Sequence, residues 1–127
     1  MKRRLDTAHD LMPLTPAVYQ VLLAVADGSR HGLGILEEVE AHTGGQVRMG
    51  PGTLYGTLHR MVASGLLEES EERPPAEHDD PRRRYYRITD LGRRAAELES
   101  SRLESLLRFA EAKRVHQRTA VGSERGR

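Results

Sequence analysis

The run from Gly50 to Leu67, GPGTLYGTLHRMVASGLL, carries helix punctuation at both ends. Pro51 suits the first position of a helix, where its missing N–H would have no partner. Gly65 suits the residue just past the end of one. A helix bounded this tightly has a fixed length, and the rest of the chain must build around it. Leu54, Leu58, Met61 and Val62 recur at helical spacing and form an apolar stripe, which leaves Thr53, Thr57, His59 and Arg60 to face outward. A helix of this size with hydrogen-bonding residues near its N-terminus fits a DNA major groove. An ordinary amphipathic surface helix has the same features.

Two more helices precede it. Thr15-Pro16 supplies an N-cap and a first-position proline, so a helix should run over residues 16–27. Val18, Val21, Leu22 and Val25 form one stripe on it, and Tyr19, Leu23 and Ala26 form a second beside the first. So wide an apolar arc predicts burial on more than one side. Residues 32–42 should form the next helix, with Leu36 and Val39 inward. Residues 1–13 lack periodicity and are expected to be a mobile basic arm. The stretch Gln46-Val47-Arg48-Met49 could pair as a small strand.

After Gly65 the pattern changes. Residues 66–72 are short and acidic, Arg84-Tyr85-Tyr86-Arg87-Ile88 has strand composition, and the proline-rich turn formers between them complete a long-looped β-hairpin. Thr89-Asp90 caps a last helix, expected over residues 90–114, with Leu91, Ala95, Leu98, Leu103, Leu106, Leu107 and Ala110 on one face. Nothing left in the chain could cover that whole face except another copy of it. The basic residues 115–127 are expected to be disordered.

Composition narrows the classes. Net charge is +1 and aromatic residues make up only 4% of the 127-residue chain, so one domain with a modest core is expected. The near-zero sum hides an acidic block from Glu68 to Asp80 and a basic one from Arg82 to Arg94. Cysteine is absent, which excludes disulfides and thiolate metal sites. No stretch suits a signal peptide or membrane span, so the default is a soluble cytoplasmic protein.

Three helices followed by a hairpin is the order of a winged helix-turn-helix, a mainly α fold with a small β-hairpin. The residues Leu14-Thr15, His31-Gly32, Gly52-Thr53-Leu54-Tyr55 with Leu58, Gly65-Leu66, and Tyr85-Tyr86-Arg87-Ile88-Thr89 with Gly92 give the chain its likeness to a known family. It resembles the PadR-family transcriptional regulators, in their compact branch with a single C-terminal dimerisation helix, over residues 13–113. The resemblance implies a winged DNA-binding domain over residues 14–89 and a repressor that binds an inverted-repeat operator as a homodimer. It also implies release from DNA by a small-molecule effector near the junction of the winged domain and the last helix. Two positions depart from the family pattern: Leu33 stands where tyrosine is common, and Gly56 where proline is frequent.

On this reading Thr53 and Tyr55 reach phosphate oxygens from the first turn of the third helix. Thr57, His59 and Arg60 are candidates for base edges or flanking phosphates, and Arg82, Arg83 and Arg84 form the basic edge of the wing. Against this, Thr53 could merely cap, Tyr55 could pack under the wing, and His59 and the arginines could be solvated. The acidic stretch could restrain the arginines while DNA is absent. The dimer contact is expected at Leu98, Leu103, Leu106, Leu107 and Ala110, with Val18 and Leu22 facing the partner's last helix. Val18, Leu22, Tyr19 and Leu106 could line an effector cavity, or be plain core; the effector is unidentified.

No catalytic constellation stands out. Gly50, Gly52 and Gly56 lack the preceding strand and spacing of a nucleotide loop. Glu77-His78-Asp79-Asp80 reads as a solvated wing tip rather than a metal site, and there is no Gly-x-Ser-x-Gly elbow. No enzyme, cofactor or metal is therefore expected. The alternative function is a winged-helix module that binds protein instead of DNA, which would not require the wing arginines.

Overall fold

The computed structural model describes residues 4–44 and 49–117, with side chains from residue 7 onward. The chain runs α1 (Arg4–Asp10), α2 (Pro16–Ala24), β1 (Arg30–His31), α3 (Gly32–His42), α4 (Pro51–Ala63), β2 (Leu67–Ser70), β3 (Tyr85–Ile88) and α5 (Asp90–Ala112). The strands form an antiparallel sheet in the order β1-β3-β2. This is the expected winged helix with a long last helix.

The punctuation works as the sequence indicates. The Thr15 hydroxyl accepts a hydrogen bond from the Val18 N–H at 3.2 Å, with Pro16 at the first position of α2. Gly65 takes φ +84°, the left-handed backbone that ends α4. Thr89 ties the second half together: its hydroxyl donates to the Gly65 carbonyl at 2.6 Å and accepts from the Gly92 N–H at 3.0 Å. A Cβ on Gly92 would lie 2.2 Å from the Leu66 carbonyl oxygen, so only glycine lets α5 start this close to the entry of β2.

The core lies where α2, α3, α4 and the sheet converge, around Val21, Leu22, Val25, Ile35, Leu54, Leu58, Met61 and Leu67. α2 stops at Ala24, short of the expected residue 27. Arginines take carbonyls at and just past its end: Arg30 donates to the Ala24 carbonyl at 2.7 Å and Arg93 to the Ala26 carbonyl at 2.8 Å. The second stripe of α2 is not buried throughout, because Leu23 is 48% exposed. Leu22, expected to face a partner, is fully buried in its own chain and is not available to one.

Residues 1–13 are not simply an arm. Residues 4–10 form α1, which lies along α5 with Ala8 fully buried. Part of the α5 face assigned to a second copy is therefore covered from within the chain. The strand expected at residues 46–49 falls mostly outside the described residues, and Met49 itself is buried but in no strand. Of residues 115–127, only 115–117 are described, as exposed irregular chain. β1 was not anticipated; two residues are too few to show a period.

Candidate nucleic-acid interface

α4 buries Leu54, Thr57, Leu58 and Met61, the i, i+3, i+4, i+7 positions of one face. Thr57 is therefore no DNA contact: it is 2% exposed, and its hydroxyl accepts from Arg60 at 3.4 Å. Val62, assigned to the core, is partly exposed instead. Helical spacing alone would have chosen Thr57 over Val62, and the polarity of threonine misdirected the assignment. The exposed face of α4 carries Thr53, Tyr55, His59, Arg60 and Val62.

Tyr55 is half exposed and has a seat. A Cβ on Gly32 would lie 2.7 Å from the Tyr55 hydroxyl oxygen, so the ring rests on the first residue of α3 and requires glycine there. The neighbouring His31 caps α3, its Nδ1 accepting from the Gly34 N–H at 3.1 Å. Its ring meets Tyr85 edge-on, with centroids 5.4 Å apart. Burial, and secondarily the Arg83 charge, hold the His31 imidazole below its ordinary pKa, which keeps it neutral and able to accept.

The wing arginines differ from one another. Glu68 lies opposite Arg87 across β2 and β3 and bonds to it at 2.8 Å, and Arg84 reaches Glu69 at 3.3 Å. Arg82 forks onto Asp80 at 3.1 and 3.2 Å. Hydrogen bonds from the Arg82 side chain, and then from its backbone, bring the Asp80 carboxyl down to about 2. The acidic stretch thus engages two of the three wing arginines expected to contact DNA. Among the described residues the Arg83 guanidinium has neither an acid nor a hydrogen-bond partner.

Asp79 and Asp80, weighed for metal binding, are occupied by Arg73 and Arg82. Arg73 was missed in the sequence, since it stands in an aperiodic loop and all its partners are set by tertiary structure. Together α4, the start of α3 and the wing enclose an open groove of about 770 Å³, with Tyr55, His59 and Val62 on one wall and Arg82, Arg83 and Arg84 on the other.

A second surface lies on α5. Leu106 and Leu107 are each about half exposed and Phe109 is 60% exposed, while Leu98, Leu103, Ala110 and Val18 are half-buried. Between α2, the end of α3 and α5 is a mainly apolar cavity of about 510 Å³. Tyr19 lines it, with Leu14, Leu23 and Leu103; Val18, Leu22 and Leu106 do not. The Gln20 Oε1 atom is buried beside it, with no hydrogen-bond partner among the described residues. Glu99, at its edge, is 2% exposed and accepts from the Leu14 N–H at 3.1 Å and from Arg102 Nε at 3.0 Å. The bond from Arg102, more than that from Leu14, holds the Glu99 carboxyl below its usual range despite burial.

Comparison with known proteins adds an independent line. The family model described as "Transcriptional regulator PadR-like family" matches residues 21–98. The chain is 42% identical over 88 residues to the transcriptional regulator Rv3488 of Mycobacterium tuberculosis, a match spanning 69% of this chain and 76% of that protein. Among solved structures, RosR of H. salinarum is 29% identical with a TM-score of 0.57, over 79% of this chain and 80% of its own. A PadR family transcription regulator from Clostridium difficile R20291 is 16% identical. It shares the fold with a TM-score of 0.65 over 77% of this chain and 97% of its own.

Proposed function

The chain belongs to the PadR-like family of transcriptional regulators, and from that premise we propose that it binds double-stranded operator DNA as a homodimer and represses transcription there. The observation that carries this reading is the groove between the exposed face of α4 and the wing, in which the Arg83 guanidinium, unlike those of Arg82 and Arg84, has no ion-pair or hydrogen-bond partner among the described residues. With α4 in the major groove, Thr53 and Tyr55 lie at its N-terminal end, where hydroxyls and helix N–H groups meet phosphate oxygens. His59 and Arg60 follow on the same exposed face as candidates for base edges. Arg83 meets the flanking backbone as a free cation. Arg82 and Arg84 must first leave Asp80 and Glu69, so their exchange of carboxylate for phosphate yields less.

Dimerisation would use the exposed end of α5, placing two copies of α4 in half-sites with centres about one helical turn, roughly 34 Å, apart. A small-molecule effector would occupy the cavity between α2, α3 and α5. From there Glu99 links the start of the winged domain, through the Leu14 N–H, to the dimer helix. An occupant that disturbs this link would change the angle between the two winged domains, and with it DNA affinity.

A second reading, a module that binds protein, draws on the pairing of Arg82, Arg84 and Arg87 with the chain's own carboxylates. Selection from a random duplex library at low salt, followed by mobility shift at several salt concentrations, separates the two. The DNA reading expects an enriched inverted repeat and an affinity that falls steeply with salt. Failure to enrich any duplex would favour the protein-binding module.

A further inference from the structure

The connection from β2 to β3 spans residues 71–84 and contains only one short 3-10 turn, at Ala76–His78. A loop of this length ordinarily has many conformations. Here one side chain near its start gathers the rest. Arg73 donates from Nε to Asp79 Oδ2 at 2.8 Å, and from Nη2 to Asp79 Oδ1 at 3.1 Å. The same Nη2 reaches the Asp80 and Arg83 carbonyl oxygens, each at 2.9 Å. Its guanidinium also lies over the Tyr85 ring, 4.9 Å from the centroid. Tyr85 is buried and touches His31, the cap of α3, so the loop is referenced to the core and not merely to itself.

We propose that Arg73 is the positioning residue of the wing: it binds both arms of the loop and the Tyr85 ring at once, and so sets where the Arg83 side chain leaves the main chain. Asp79 and the two carbonyls already engage its Nε and Nη2. The inference rests on the reading of the wing as a phosphate contact. A wing held in one shape before binding has less freedom to lose on binding. The task needs arginine. A guanidinium can serve a carboxylate and two carbonyls from two of its nitrogens while its face lies over a ring, whereas lysine offers one compact charge.

The test compares Arg73→Ala, Arg73→Lys, Arg83→Ala and the double variant Arg73→Ala/Arg83→Ala in the full chain. Two readouts are needed: amide hydrogen exchange over residues 74–84 without DNA, and affinity for the duplex that the unaltered protein selects from a random library. Arg73→Ala is expected to speed exchange in the loop and weaken DNA binding about tenfold. Arg73→Lys should rescue neither. In the Arg73→Ala background, removing Arg83 should cost much less than it does alone. Unchanged loop exchange, full rescue by lysine, or additive losses from the two alanines would overturn the proposal. Faster exchange with unaltered DNA affinity would overturn it as well, by taking the wing out of the contact. A protein that selects no duplex at all defeats the DNA-binding reading itself, which is a distinguishable failure.

Discussion

The wing and the C-terminal half of α5 are both exposed, but they are incomplete in different ways. On the wing, Arg82, Arg84 and Arg87 have carboxylates of their own, so the strands are nearly self-neutralised and Arg83 is the exception. On α5, Leu106, Leu107 and Phe109 stay about half exposed or more among the described residues, although α1 packs along the same helix. Exposed apolar side chains cannot be satisfied by water, whereas exposed charges can. The account therefore expects α5 to need a second copy all the time and the wing to need DNA only when it is present.

The largest effect should come from α5. Leu106→Glu with Leu107→Glu places charge on the exposed end without entering the single-chain core, and sedimentation should then show monomers. Operator affinity should fall by at least about a hundredfold, because two linked half-sites become one. Dimers of normal affinity would move the interface elsewhere. Leu103 is a poorer probe, since it lines the cavity of its own chain.

On the wing the arginines should be unequal. Arg83→Ala is expected to weaken binding to all sequences alike and to flatten the salt slope by about two per dimer, one phosphate contact from each copy. Arg84→Ala should change affinity by no more than about twofold, since it also frees Glu69. Equal losses at both positions would show that the ion pairs do not persist, and would erase the distinction between a self-neutralised wing and one free cation.

A smaller effect is expected at the seat of Tyr55. Gly32→Ala puts a methyl group where the ring rests, and the movable partner is the far end of a side chain. The ring should be displaced, with a few-fold loss of DNA affinity and little change in thermal stability. Gly92→Ala is the control, because there the obstacle is the Leu66 carbonyl and folding itself should fail.

The most modest expectation concerns pH. The Glu99 carboxyl titrates lower in the folded chain than in the unfolded one, so its stabilisation is complete above the unfolded value near 4.5 and is lost as pH falls through the folded one. His31 is likewise held low, and stability should decline as pH drops from 6.5 and protonation removes the acceptor that caps α3. Denaturant melts of Glu99→Gln should show a shallower acid decline than the unaltered protein. The same decline in both would remove Glu99 from the acid response.

What was legible in the sequence was what local chemistry decides. Thr15, Pro51, Gly65 and Thr89 marked helix ends because caps and left-handed turns depend on one or two residues. What escaped depended on distant partners. The residues of α1 are mostly polar, and the helix is held by α5, with Ala8 buried. Glu99 reads as a solvent-facing charge on a polar helix until the Leu14 N–H arrives from the other end of the chain. The basic run at residues 82–84 is visible, but its division, among the described residues, into two arginines with carboxylate partners and one without required the loop turn that sets Asp80 beside Arg82 and the sheet register that brings Glu69 near Arg84.

Footprinting the full chain on a duplex that it has selected, with the stoichiometry measured on the same complex, decides whether a two-fold dimer reads DNA through its α4 helices. Two chains per duplex and two protected half-sites are expected, related by inverted symmetry, with centres about one helical turn apart. One chain per duplex, or a protected sequence without that symmetry, would contradict that expectation.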